Sequence, residues 1–210
     1  MSFKKDRYTI IRKAIDKDLA LFLYNYLTIK KQVYDTCIKS RYISPYETLL
    51  GYYEGENEQI PNTYSCYSDI AMETLMLKCQ LAMEKATGLK LYPAYTYTRI
   101  YKKGDILKRH KDRFSCEIST TMNLGGHDWP IYLEPSGKED MKGVRVDLKP
   151  GDMLVYSGCE LEHWREKFKG KECVQVFLHY NDKKTPKALD NIFDKRMHIG
   201  LPSWFKNKKF

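Results

Sequence analysis

The chain has 210 residues, 42% of them hydrophobic and 13% aromatic, with 36 Lys and Arg against 27 Asp and Glu for a formal charge of +9. That length suits one domain with enough apolar material for a sizeable core; no apolar run is long enough to cross a bilayer, and the charged stretch Met1 to Arg7 is not followed by the apolar segment of a secretory signal. The six cysteines, at 37, 66, 79, 116, 159 and 173, stand singly with no C-x-x-C pair, which argues against a structural zinc site and for reduced core thiols in a cytoplasmic protein.

In chain order, residues 8–12 suit a short strand. Asp16 is placed to cap a helix whose apolar stripe is Leu19, Phe22, Leu23 and Tyr26, running to about Tyr34. Residues 38–66 contain Pro45, Gly51, Gly55 and Pro61 and read as a long loop, a lid over a site. Ser68 or Asp69 caps a second helix with Met72, Leu75, Cys79, Ala82 or Met83, and Ala86 on one face, and Gly88 ends it. From Leu91 the period shortens to two. Strands are expected at 94–102, 116–123, 130–134, 144–148, 152–156 and 173–180, separated by Gly104, Gly125-Gly126, Pro135-Ser136-Gly137, Pro150-Gly151 and Gly170. Helices followed by many strands predict an α+β fold with helices packed on a sheet. The division is a helical N-terminal region over residues 1–90, a strand-rich core at about 91–182 and a basic extension 183–210 within a single domain.

His110 and Asp112 stand at H-x-D spacing after a strand and a Gly turn, and residues two apart on an extended chain project to one side. Downstream, Pro150-Gly151-Asp152 opens a strand that leads to His163 and then to a run of good β-formers. Two histidines and a carboxylate carried by strands form the facial set that suits non-haem Fe(II) and leaves positions open. His127, His179 and His198 read as ordinary surface or hydrogen-bonded histidines.

The run from Tyr95 to Tyr180 resembles the Fe(II)- and 2-oxoglutarate-dependent dioxygenases, in the prolyl 4-hydroxylase-like branch. The matching residues are Tyr101, Gly104, His110-Lys111-Asp112, Lys149-Pro150-Gly151-Asp152 with its strand to Tyr156, His163 and Gly170-Lys171. The resemblance implies a double-stranded β-helix, or jelly roll, with N-terminal support helices on one sheet. It implies Fe(II) on His110, Asp112 and His163, with 2-oxoglutarate and O2 as cosubstrates and ascorbate as a further cofactor. Tyr101 and Thr121 would donate hydroxyls to the distal carboxylate of 2-oxoglutarate. The family's cation falls nine or ten residues after the distal His, where this chain has Glu172 and Cys173. Lys171 is therefore taken as that cation, with Arg165 and Gln175 as lesser candidates. Arg113, Trp164 and Arg165 adjoin the triad and are candidate substrate contacts. Specificity is expected in the loops 38–66 and 125–143.

The implied activity is hydroxylation of a C–H bond, of a peptidyl residue such as proline or of a free small molecule, coupled to decarboxylation of 2-oxoglutarate. Nucleic-acid demethylation ranks lower, because the expected R-x5-R has Lys171 in place of its second Arg. A non-catalytic jelly-roll binding protein and a basic polyanion-binding protein are the alternatives from other classes.

Overall fold

A computed structural model describes residues 2–138 and 141–208, so two residues of the 125–143 loop and the last two of the C-terminal extension lie outside it. The order is α1 (Phe3–Asp6), β1 (Tyr8–Ile11), α2 (Lys17–Lys39), β2 (Tyr52–Tyr53), β3 (Tyr64–Tyr67), α3 (Ile70–Thr87), β4 (Leu91–Lys102), β5 (Leu107–His110), β6 (Ile118–Gly126), β7 (Ile131–Glu134), β8 (Val144–Val146), β9 (Met153–Ser157), β10 (Glu162–Arg165) and β11 (Glu172–Asp182). Short 3-10 turns occupy Phe114–Cys116, Leu189–Lys195 and Ser203–Phe205. No helix among the described residues is long and apolar enough to cross a membrane.

The helix ends follow the expected chemistry. The Asp16 carboxylate accepts from the Leu19 amide at 2.7 Å, and Asp69 accepts from the Met72 amide at 3.1 Å. Each satisfies an amide that has no intrahelical partner. Gly88 ends α3 at φ +74°, a left-handed conformation that favours glycine. The first long helix runs five residues past its expected end, to Lys39, and Ile38 in that added turn still packs against the core.

Among the described residues all strand pairs are antiparallel and form two sheets, one of seven strands in the order β1-β9-β6-β11-β4-β3-β2 and one of four in the order β5-β10-β7-β8. The middle of the large sheet is buried on both faces. On β11, Val174, Val176, Leu178 and Tyr180 share a core with Leu23 and Leu27 of α2 and Met72, Met76 and Met83 of α3. The alternate residues Cys173, Gln175, Phe177 and His179 point into the space between the sheets, as the period of two requires. There Tyr101, Leu107, Trp129, Phe168 and Phe177 form one apolar cluster, and Leu133, Leu154, Tyr156 and Leu161 belong to another. Double burial explains why β11 reads as an almost unbroken apolar run with Gln175 and His179 set into it.

The segment 38–66 is not wholly a loop. It contains β2 and most of β3, which add two strands to the edge of the large sheet beside β4. The extension after β11 returns along the body. Its Arg196 forms an ion pair with Glu73 of α3 at 2.7 Å, with both side chains fully buried.

Candidate metal centre

His110 ends β5, and β10 sets His163 directly opposite it, with the two imidazole rings 4.2 Å apart. Beyond this pair the register slips: Arg165 stands opposite Leu107, so Lys108 and Arg109 face Trp164 alone. A bulge of this kind re-aims side chains at a site. Asp112 lies two residues past the strand, where its amide donates to the Gly158 carbonyl at 2.9 Å. That tether brings Asp112 Oδ1 to 3.6 Å from His110 Nε2 and 3.5 Å from His163 Nε2.

The tautomers follow from the neighbours. His110 Nδ1 lies 2.8 Å from the Lys108 carbonyl and His163 Nδ1 3.1 Å from the Leu161 carbonyl. A carbonyl can only accept, so each Nδ1 carries its proton and each Nε2 presents a lone pair. Two Nε2 lone pairs and one carboxylate oxygen, with ligand atoms within 4.8 Å of one another, make a set that can hold one ion. Burial works to raise the Asp112 pKa, but the imidazoles of His110 and His163 beside it outweigh burial and hold the carboxyl well below its ordinary range, a pull that an N–H on Nε2 exerts in the metal-free site and that an ion on the Nε2 lone pairs would take over. It is therefore an anion, ready to bind, at any neutral pH.

Gly158 closes this corner. A Cβ there would lie 2.5 Å from Asp112 Oδ2 and 2.3 Å from the Cys116 carbonyl. Gly158→Ala is expected to push Asp112 out of place and lower Co(II) affinity by at least about 10-fold, with about 1–3 kcal/mol of strain in the fold. Calorimetric titration with Co(II) and a thermal melt check both; wild-type affinity in the variant would show that the corner has slack.

Behind the triad lies a second polar cluster. Arg165 shares the inward face of β10 with His163, is 1% exposed, and has no carboxylate partner among the described residues. Its guanidinium donates to the Trp129 carbonyl and to Thr121 Oγ1, the latter at 3.2 Å, and packs on the Trp129 ring. Among the described residues its Nε has no hydrogen-bond partner, and the hydroxyl of the fully buried Tyr101 has none at good geometry, although the Arg99 guanidinium lies beside it. Thr121 Oγ1 in turn donates to Gln175 Oε1 at 2.9 Å.

Tyr101, Thr121, Arg165 and Gln175 are thus brought together, and Lys171 is not. Lys171 is exposed in the turn before β11, beside Tyr24, His127 and Glu172. The ladder begins at Glu172, one residue too late to carry Lys171 inward. Trp164 is also turned away: it alternates with His163 and Arg165, stacks on Tyr132 at 5.6 Å and is covered by the Arg109 guanidinium. Arg113 does reach the cavity, with both terminal nitrogens on Asp194 at 2.9 and 2.8 Å. Despite burial, Arg113, Lys206 and Ser115 hold the Asp194 carboxyl well below its ordinary range.

In front of the triad opens a cavity of about 540 Å³. Tyr95, Tyr97, Phe177 and His179 supply an aromatic wall, Tyr52 and Gln59 come from the segment 38–66, and Ser203 and Lys206 come from the C-terminal extension. Of the 125–143 loop, only Ile131 lines it among the described residues. Gln59 is held by Arg99, whose NH1 donates to its Oε1 at 2.7 Å, and Arg99 is paired with buried Glu54 at 2.7 Å. This directs the Gln59 amide nitrogen at the His110 Nε2 lone pair, 2.8 Å away. His179, Gln59, Arg99 and the C-terminal residues carry no sequence signal of their own; only the alternation on β11 could have marked His179 as inward. Burial holds His179 neutral, with its pKa down at about 4.

No family model matches the chain, and no curated protein matches it. Solved structures do. A prolyl-4-hydroxylase from Pseudomonas putida matches over 86% of this chain and 95% of its own, with 17% identity and a TM-score of 0.57. EctD from S. alaskensis, solved with 2-oxoglutarate and 5-hydroxyectoine, matches over 99% of this chain and 85% of its own, with 15% identity and a TM-score of 0.61. SnoK, a non-haem α-ketoglutarate-dependent carbocyclase from nogalamycin biosynthesis, matches over 86% of this chain and 81% of its own, with 11% identity and a TM-score of 0.59.

Proposed function

We propose that this chain, which has the fold of the Fe(II)- and 2-oxoglutarate-dependent oxygenases, hydroxylates a C–H bond of a peptidyl residue such as proline. The observation that carries the reading is Arg165. A guanidinium taken out of water without a counter-anion is expensive to bury, and an unsatisfied Nε adds to the deficit. A carboxylate placed between Arg165, Tyr101 and Thr121 relieves all of it at once. That cluster lies on the same strand face as His163, two residues along, or about 7 Å. A short dicarboxylate spanning from the triad to Arg165 is the ligand such a pair of sites would take, and 2-oxoglutarate fits.

When bound, iron and 2-oxoglutarate would together supply O2 activation, the oxo acid giving two electrons to O2 as it is oxidised to succinate and CO2. The chain's own residues do the rest. His110, Asp112 and His163 would hold the ion by one face, and Arg165, Tyr101 and Thr121 would fix the far end of the cosubstrate. Metal binding needs the His110 Nε2 lone pair, so the Gln59 amide must leave it. The amide stays tethered through Arg99, as a donor beside the open side of the site. Tyr95, Tyr97 and Phe177 exclude water and offer flat faces to a ring such as pyrrolidine. A free small molecule is the second reading, favoured by the walls that Tyr52, Gln59, Ser203 and Lys206 add around the cavity.

The test begins without oxygen. Fe(II) and 2-oxoglutarate together should give a weak charge-transfer band at about 500 nm, which requires direct chelation on an open ferrous site. Succinate release is then scored aerobically with proline-containing peptides and free amino acids side by side. Release with peptides supports the first reading, and release with free amino acids alone supports the second. A chain that gives no band at saturating ligand is a binding protein on an oxygenase fold.

A further inference from the structure

We infer that Ser119 and His179 form a relay that fixes the Asp112 carboxylate, leaving only Oδ1 for the metal and so keeping three coordination positions open. The inference rests on the proposed metal site and goes beyond it to residues outside the ligand set.

The two carboxylate oxygens of Asp112 have different surroundings. Oδ1 faces His110 Nε2 and His163 Nε2. Oδ2 faces Ser119 Oγ at 3.0 Å. The same Oγ lies 2.8 Å from the Cys116 carbonyl and 2.9 Å from His179 Nδ1. A hydroxyl has one proton to give. If His179 Nδ1 were an acceptor, three acceptors would compete for that proton. The count closes when Nδ1 carries its own proton and donates it to Oγ, leaving the hydroxyl free to donate onward. Of the two remaining acceptors the carboxylate is the stronger, because it is charged. The chain of bonds is therefore His179 Nδ1–H to Ser119 Oγ–H to Asp112 Oδ2.

His179 is well placed to hold that geometry. It is 5% exposed, and its ring lies against Tyr95 with centroids 4.5 Å apart. Ser119 and His179 are directly opposed on β6 and β11, so the ladder sets their spacing. The other two ligands are oriented by the Lys108 and Leu161 carbonyls, which no side-chain substitution removes. Asp112 alone depends on side chains. Its second oxygen, if freed, could swing onto the ion as a bidentate ligand and take up a position that cosubstrate or O2 needs.

The experiment uses Co(II) alone on the full chain, reading affinity by calorimetry and geometry from the visible absorption of the bound ion. His179→Leu keeps volume and loses the donor. His179→Asn keeps an N–H near the place of Nδ1. Ser119→Ala cuts the middle of the relay. His179→Leu and Ser119→Ala are each expected to weaken Co(II) by about 10- to 100-fold and to alter the absorption. His179→Asn is expected to stay within about threefold of wild type with its spectrum. The double variant Ser119→Ala/His179→Leu should be no weaker than Ser119→Ala, since both cut one chain. Should His179→Leu fail to fold, Ser119→Ala, which removes a single oxygen, carries the test. Wild-type affinity and spectrum in Ser119→Ala, or a His179→Asn that falls as far as His179→Leu, overturns the relay while leaving the metal site standing. A wild-type chain that takes up no Co(II) overturns the metal site and the relay with it.

Discussion

The His163→Ala protein is expected to lose its metal and with it all 2-oxoglutarate-dependent succinate. His163 supplies one of two neutral nitrogen donors, and its Nε2 is 3.5 Å from the carboxylate oxygen that would share the ion. The phenol beside it does not replace it. Tyr156 packs on the ring at 4.8 Å but keeps its phenol proton, because burial raises its pKa far above the usual range. The loss should exceed the roughly 10- to 100-fold that follows from removing a mere supporting hydrogen bond. Metal content after anaerobic loading, with succinate release in the same samples, measures both effects. His198→Ala is the control, since His198 is exposed on the C-terminal extension. Iron retained and succinate unchanged in His163→Ala would remove this histidine from the site.

How far such a site can be read from residues alone depends on what kind of signal each element leaves. β4, β6, β9 and β11 are legible because they are long or apolar and are bounded by glycine turns. β5 and β10 are not, although they carry the metal ligands. Lys108, Arg109 and His110, and Glu162, His163, Trp164 and Arg165, are chosen for chemistry on both faces, so no apolar alternation survives. The H-x-D spacing still marks His110 and Asp112, because it records chemistry and not burial. The C-terminal extension leaves no periodic trace at all. Its 3-10 turn bends through Phe193, Asp194 and Lys195 at φ of 53°, 54° and 65°, and this delivers Asp194 to Arg113.

The cation behind the triad shows a different failure. Lys171 is selected by counting residues from His163, an offset that presumes a certain turn length and strand start. In this chain the strand starts at Glu172 and leaves Lys171 in water. Arg165 needs no such presumption. It is two residues from His163 on one strand, and a period of two places both on the same face. Local spacing on a strand is robust, and spacing across a turn is not.

Arg165→Met is therefore expected to separate stability from cosubstrate binding. Among the described residues the guanidinium has no anion, so replacing it by an apolar side chain of similar reach should leave the melting temperature unchanged or raise it. Buried charges replaced in this way are often neutral or stabilising by about 1–4 kcal/mol. Two partners lose a donor, the Trp129 carbonyl and Thr121, and that offsets some of the gain. The effect on 2-oxoglutarate should be far larger. Two charge-assisted hydrogen bonds at about 1.5–3 kcal/mol each correspond to about 100- to 10,000-fold in affinity. Co(II) affinity, set by the triad, should move less than about threefold, since no ligand is touched. Pyruvate, which has the keto acid but no distal carboxylate, should bind wild type and Arg165→Met alike. Lys171→Ala should bind 2-oxoglutarate as wild type does, because Lys171 is exposed in the turn before β11. Calorimetry with 2-oxoglutarate and pyruvate on Co(II)-loaded protein, beside thermal melts of the metal-free forms, gives every number required. A 2-oxoglutarate affinity that survives Arg165→Met and falls in Lys171→Ala would reverse the assignment. An Arg165→Met protein that unfolds would mean the guanidinium is already satisfied in the free chain, and the reading of the cavity as an anion site would fall with it.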